Sequence, residues 1–263
     1  MSSINSIARD KLARLIGTPK CPVLIDVRSG EDFAVDQRLI PGSVRRHPLA
    51  TSGLAAAFAG QTVVVICTDG QELSPGVAAW LRNAGAKADV LEGGFNAWAS
   101  AMLPLVSTAR LPAPDPQGRT VWVTRERPKI DRIACPWLIA RFVDRDAEFL
   151  YVPTKQVRET AQARDAVPYD VPDVHFTHEG ELCSFDAFIK TYRLTDPALA
   201  KLALIVRGAD TDHLELAPQS AGLFAISLGL SRNFADDHEM LKARHRHLRR
   251  AFRGVLRSTA GLE

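Results

Sequence analysis

At roughly 150 residues per domain, a chain of 263 residues has room for about two domains, and 46% hydrophobic with 24% charged residues excludes a wholly disordered or fibrous protein. A net charge of +3 is too small for the molecule as a whole to act as a polycation on nucleic acid or membrane. Four cysteines, widely spaced and in no CxxC pair, make no disulfide framework. With no apolar signal core at the start and no apolar run of membrane-spanning length, the expectation is a cytoplasmic protein with reduced thiols and no membrane partner.

Residues 23–27 (VLIDV), 62–67 (TVVVIC) and 87–94 (KADVLEGG) are short runs rich in β-branched side chains, as in strands buried on both faces. Between the last two, Ser74 and Pro75 read as an N-cap and first helical residue. Val77, Trp80, Leu81 and Ala84 follow at helical spacing, and Gly85 reads as the C-cap. The alternation predicts an α/β domain, a parallel sheet with flanking helices, over residues 1–105, with its site beyond the carboxyl ends of the strands. Three prolines within residues 112–116 and few large apolar side chains mark 106–118 as a linker. In residues 119–263, TVWVTRE and AEFLYVP flank an amphipathic helix, and helical patterns then dominate, so the second domain reads as α-rich α+β with a small sheet.

Cys67 closes an apolar strand and opens the loop Thr68, Asp69, Gly70, Gln71, Glu72, Leu73 that runs into the helix at Ser74. Backbone N–H groups in such a loop and the positive end of the helix stabilise a thiolate, a persulfide anion or a bound oxyanion. A buried cysteine at a strand end also packs as a small hydrophobe. The segments Leu24-Ile25-Asp26-Val27-Arg28 with Glu31 and Phe33, Leu39-Ile40-Pro41-Gly42-Ser43, the Cys67 loop and helix, and Leu91-Glu92-Gly93-Gly94-Phe95-Asn96-Ala97-Trp98 followed by Leu103-Pro104 resemble the rhodanese homology domain over about residues 5–105. The resemblance implies that Cys67 is the catalytic nucleophile, taking sulfane sulfur from a donor as a persulfide and passing it to a thiol acceptor, with Asp26 and Arg28 supporting the site. Active rhodaneses commonly carry arginine or lysine in this loop. Here Asp69 and Glu72 stand instead, which disfavours thiosulfate and leaves protein persulfides, low-molecular-weight persulfides, a larger oxyanion, or a regulatory domain without turnover.

In the second domain, His178, Cys183 and Asp186 fall close together, and Asp210-Thr211-Asp212-His213 adds further carboxylates and an imidazole. His178, Cys183, Asp186 and Asp210 are therefore candidate ligands for a divalent transition metal (zinc, iron or manganese), although the spacing matches no established metal motif. The alternative is a buried Cys183 thiol with Ser184 capping the next helix, and Asp210 capping or pairing with Arg132 or Arg207. Cys135, between Ala134 and Pro136, reads as packing. Arg125, Arg127, Lys129, Arg132 and Arg207 suit a tetrahedral oxyanion such as chromate or sulfate, with Arg132 and Arg207 the anion-binding candidates. Asp131, Asp210 and Asp212 could equally neutralise them as ion pairs. Residues 241–257 read as a basic helix with a solvated face. No base-reading motif accompanies it, so sequence-specific DNA binding is not supported.

Arg127-Pro128-Lys129, Asp131-Arg132-Ile133-Ala134-Cys135-Pro136-Trp137, Cys183-Ser184-Phe185-Asp186, Arg207-Gly208-Ala209-Asp210-Thr211-Asp212 and Ile226-Ser227-Leu228-Gly229-Leu230 resemble the C-terminal domain of ChrB-type chromate-resistance proteins, over about residues 119–245. That implies a role in chromate resistance or in chromate-responsive control of an efflux gene. The usual N-terminal domain of those proteins, thought to bind DNA, is replaced here by the rhodanese-like one. The leading expectation is a sulfurtransferase forming a persulfide on Cys67, joined to a domain that binds an oxyanion or metal. The alternatives are a non-catalytic chromate-responsive sensor and a thiol-dependent chromate detoxification in which Cys67 supplies electrons.

Overall fold

The protein is described from a computed structural model at residues 5–53 and 55–233. It divides into two compact units, the first running to Arg110 and including Arg141–Val143, the second taking Leu111–Ala140 and the chain from Asp144. In the first, β1 (Ser6–Ile7), α1 (Arg9–Ala13), β2 (Val23–Asp26), α2 (Gly30–Val35), β3 (Arg38–Leu39), β4 (Ser43–Arg45), α3 (Pro48–Gly53), β5 (Thr62–Ile66), α4 (Leu73–Asn83), β6 (Lys87–Leu91), α5 (Gly94–Ser100) and β7 (Val106–Ser107) follow in order. Five strands form a parallel sheet in the order β1-β6-β5-β2-β4. The reason β5 sits at its centre is compositional. Val63 to Ile66 are all buried, so the strand needs cover on both faces and neighbours on both edges. Val77, Ala78 and Leu81 of α4 pack with Val23, Ile25, Val63 and Val65 in one core.

The expected linker begins later than residue 106. Val106 is buried, and β7 pairs antiparallel with β3 through Arg38–Ser107 and Leu39–Val106. A two-residue strand leaves too little pattern to outweigh the prolines that follow it.

The second unit contains β8 (Val121–Arg125), α6 (Ile130–Leu138), β9 (Glu148–Val152), α7 (Val157–Ala163), β10 (Val167–Pro168), α8 (Ser184–Tyr192), α9 (Pro197–Asp210) and α10 (Ser220–Asn233). Its small sheet has the order β10-β8-β9, with both pairings parallel. Helices dominate the rest. Phe176 and Phe188 stack with centroids 4.2 Å apart, and Trp122 meets Phe176 edge-on at 5.4 Å, which ties β8 to α8. Asp196 caps α9 by accepting the Leu199 N–H at 2.9 Å, with Pro197 at the first helical position. The basic helix expected over residues 241–257 lies outside the described residues. Among the described residues, no helix is long and apolar enough to cross a membrane.

Candidate functional site

Cys67 directly follows β5 and is only 2% exposed. Two side chains reach its sulfur. The Ser74 hydroxyl lies 3.0 Å from Sγ, and Asp69 Oδ1 accepts from the thiol at 3.8 Å. The helix starts earlier than its sequence suggests. α4 begins at Leu73 with Glu72 in the capping position, so Ser74 lies inside the first turn, wholly buried, and its hydroxyl faces the thiol rather than capping the helix.

The loop itself is held by backbone bonds. Phe95 and Asn96 N–H donate to the carbonyls of Cys67 and Thr68, each at 2.9 Å, and Gln71 N–H donates to Asp69 Oδ1 at 2.9 Å. Gly94 makes this approach workable, because it has φ +57° and a Cβ there would overlap the Cys67 carbonyl. Thr68, Asp69 and Gly70 are half-buried, Leu73 packs against the core, and Gln71 and Glu72 are exposed.

Asp26 and Arg28 form a buried ion pair at 2.7 Å. The rest of the guanidinium donates to the carbonyls of Asp36 at 2.9 Å and Arg38 at 2.7 Å, and it stacks 3.7 Å over the Phe95 ring. Arg28 therefore fastens the segment after α2 to α5, the helix against which the Cys67 loop rests.

In the second unit a polar cluster lies at the carboxyl end of the small sheet, the usual place for a site in open parallel sheets. Asp170 follows β10, Asp131 lies in the first turn of α6, Cys183 and Ser184 begin α8, and Asp210 ends α9. His178 Nε2 stands 3.3 Å from Asp131 Oδ2, 3.5 Å from Asp170 Oδ1 and 3.2 Å from Asp210 Oδ2. The carboxylate side chains are 3%, 5% and 13% exposed and the imidazole 41%, so the histidine is the outer wall of a buried acidic chamber.

Helix ends help hold these charges. Ser184 N–H donates to Asp131 Oδ2 and Asp131 N–H to Asp210 Oδ1, each at 3.3 Å. Hydrogen bonds to Asp131, Asp170 and Asp210 push His178 up to about 12. Burial pushes the Asp131 carboxyl up to about 7, against the opposing hydrogen bond from His178. Burial also opposes ionisation of Asp170, but the His178 hydrogen bond and the charges of Arg132 and Arg125 hold it below the usual carboxylate range. Burial drives the Cys183 and Cys135 thiols up, and the cluster's carboxylates add to the effect.

Of the four metal candidates, His178, Cys183 and Asp210 lie in or beside this chamber, and Asp131 and Asp170 join them. Ligand atoms of Asp131, Asp170 and His178, and those of Asp131, Cys183 and Asp210, lie within 4.8 Å of one another. Asp186 turns away to Arg207, which grips it with bonds of 2.7 and 3.0 Å, while Asp186 Oδ2 accepts the Cys183 N–H at 3.1 Å as a capping box. Arg132 pairs with Asp170 at 2.9 Å, as does Arg125. The two expected anion-binding arginines thus face different aspartates, so they do not form one fork for an oxyanion. Asp212 and His213 are exposed, with His213 on Glu215 at 3.0 Å.

Residues 122–252 match the family described as ChrB, C-terminal domain, and residues 8–101 match the rhodanese-like domain. Protein ChrB of Cupriavidus metallidurans is 32% identical over 166 residues, covering 60% of this chain and 49% of that protein, so the chain spans about half the length of that relative. Among solved structures, a rhodanese-like domain protein from Staphylococcus aureus is 26% identical, covers 36% of this chain and 91% of its own, and has a TM-score of 0.32. A rhodanese-related protein from Thermoplasma volcanium is 21% identical over 39% of this chain and 97% of its own, with a TM-score of 0.34. The chain carries a rhodanese-like domain followed by a ChrB C-terminal domain, and is related to Protein ChrB.

Proposed function

We propose that the rhodanese-like domain is a sulfurtransferase that carries sulfane sulfur as a persulfide on Cys67, and that the ChrB domain beside it in the chain holds a divalent transition metal in a chromate-resistance role. The observation that carries the first part is the placement of Cys67 Sγ at the carboxyl end of the central strand, 3.0 Å from the buried Ser74 hydroxyl at the start of α4. A hydroxyl and a helix start beside the sulfur offer a donor and a positive dipole end to the persulfide that Cys67 would carry. The test is intact-mass analysis after incubation with sulfur donors. The wild-type chain should gain one sulfur and Cys67→Ser none, and equal gain by Cys67→Ser refutes the assignment.

A separate observation supports the metal over an oxyanion. Ligand atoms around a first-row metal, about 2.1 Å from it, are separated by edges of about 3.0 Å in an octahedron and about 3.4 Å in a tetrahedron. The His178 nitrogen stands 3.2–3.5 Å from three carboxylate oxygens, which is the spacing of such edges. Asp131, Asp170 and His178 form one group of ligand atoms within 4.8 Å of one another, an oxygen and nitrogen set that suits manganese, iron or zinc, and a chamber walled by carboxylates repels chromate. Arg125 and Arg132, both on Asp170, would orient that ligand and offset part of its charge. The protein purified without chelator should contain near-stoichiometric metal by elemental analysis, lost in Asp131→Asn. Trace metal in both refutes this part.

A further inference from the structure

The ligand atoms of the chamber in the ChrB domain fall into two groups of different chemistry. Asp131, Asp170 and His178 offer oxygen and nitrogen, whereas Asp131, Cys183 and Asp210 offer oxygen and sulfur. Asp131 is common to both. Its Oδ2 lies 3.3 Å from His178 Nε2 on one side, and on the other its N–H donates to Asp210 Oδ1 at 3.3 Å. Three elements bring the second group together, which are the first turn of α6, the residue before α8 and the end of α9.

Positive charge is divided unequally between these groups. Asp170 has Arg125 and Arg132, each at 2.9 Å, so its charge is met by the protein itself. Among the described residues, Asp131 and Asp210 form ion pairs with His178 alone. A metal that takes His178 as a ligand needs the neutral imidazole, and Asp210 is then left without a cation of its own. Cys183 is wholly buried beside it, its thiol donating to Asp186 Oδ2 at 3.4 Å. Arg207 grips Asp186 at 2.7 and 3.0 Å, so the thiol can give up that bond without leaving Asp186 unpaired. A largely buried carboxylate short of a cation, beside a buried sulfur that is free to ionise onto a metal, is the setting for a second ion.

We infer that the chamber is a two-metal centre, with one divalent ion on Asp131, Asp170 and His178, a second on Asp131, Cys183 and Asp210, and the Asp131 carboxylate bridging them. The inference rests on the reading of the ChrB domain as a metal site. Ions in two-metal sites stand about 3.5–4 Å apart, a separation that one shared carboxylate spans with its two oxygens. The first position, all oxygen and nitrogen, admits manganese, iron or zinc, whereas sulfur makes the second one selective for zinc or iron(II) over manganese. Two divalent ions also balance the charge of Asp131, Asp170, Asp210 and a Cys183 thiolate. Filling the second position is M²⁺ + Cys183–SH → M²⁺–⁻S–Cys183 + H⁺, with the proton released to solvent and no change of oxidation state.

The test titrates the full chain, stripped with chelator, with cobalt(II), which gains a strong near-ultraviolet charge-transfer band on thiolate ligation and lacks it with oxygen and nitrogen ligands. Equilibrium dialysis counts the ions bound. The wild-type chain should saturate at two ions and show the band. Cys183→Ser should saturate at one ion and lose the band, His178→Ala should keep one ion and the band, and Asp131→Asn should lose both ions. Stoichiometry and band are read first on the wild-type chain, so they stand independently of any effect of the variants on folding. Saturation of the wild-type chain at one ion overturns the second position, with or without the band, and so does a band that survives in Cys183→Ser. Absence of any bound cobalt in the wild-type chain would instead sink the underlying reading of the domain as a metal site, so the failures are distinguishable.

Discussion

His178→Ala removes the one cation that three buried carboxylates share. Among the described residues, Asp131 and Asp210 form ion pairs with His178 alone, while Asp170 also has Arg125 and Arg132. In the metal-free chain, hydrogen bonds to Asp131, Asp170 and Asp210 raise His178 from 6.5 to about 12, so the folded state keeps a proton that the unfolded state releases. Its stabilisation is complete below pH 6.5 and is lost as pH rises toward 12. Asp131 adds the same sign over a lower window. Its carboxyl, raised from 3.8 to about 7 chiefly by burial, keeps its proton in the fold, so stability falls as pH rises through that window. Removing one partner of a fully buried pair costs about 3–5 kcal/mol, but His178 is 41% exposed, and solvent screening lowers the expected cost to about 1–2 kcal/mol.

Urea unfolding of the metal-free chain, followed in chelator at pH 6.5 and 9.5, measures this loss. The penalty of His178→Ala should be larger at pH 6.5 and shrink at 9.5. A penalty within about 0.5 kcal/mol of zero, as for an indifferent surface change, or one that grows with pH, refutes the shared-cation account. Metal should reverse the trend, because its ligands must shed protons to bind. Manganese at about 100 times its Kd should add about 2.7 kcal/mol to the wild type, more at higher pH, and less to the variant at the same concentration.

Other consequences can be checked one residue at a time. Ser74→Ala should slow sulfur uptake by Cys67 about tenfold, the worth of one hydrogen bond to an anion, in the same mass assay. Gly94→Ala places a methyl group on the Cys67 carbonyl at a positive φ, and should lower the thermal midpoint of the rhodanese-like unit and slow sulfur uptake. Arg28→Ala leaves Asp26 buried and unpaired, and should cost about 3–5 kcal/mol in urea unfolding. Glu72→Arg replaces an exposed anion on the loop by a cation and should raise turnover of thiosulfate severalfold in a thiocyanate assay.

What the sequence disclosed follows from which features are local in the chain. The buried strands at residues 23–27 and 62–67 are legible because a strand covered on both faces is written as a continuous β-branched run, and the helix between residues 73 and 83 because its apolar side chains recur at helical spacing. Ser74 shows the limit of that reading. A serine before a proline has the form of a cap, but which turn it occupies depends on where the chain leaves the loop, and a shift of the helix start moved its hydroxyl onto the Cys67 sulfur.

The chamber in the ChrB domain was half legible for a related reason. His178, Cys183 and Asp210 drew notice as ligand types standing close in sequence to others of their kind, and Asp186 was grouped with them on the same spacing. Proximity along the chain does place Asp186 beside Cys183, whose N–H its Oδ2 accepts at the helix start, but both of its oxygens also meet Arg207. Asp131 and Arg132 are neighbours in sequence, but successive residues on a helix point about 100° apart. The two therefore diverge, Asp131 toward His178 and Asp210, and Arg132 toward Asp170, a residue 38 positions further on that the sequence marks with nothing. Charge pairing in this site is settled by which strand and helix ends meet at the sheet's carboxyl edge, so the partners of Arg132 and Arg207 are legible only in the fold.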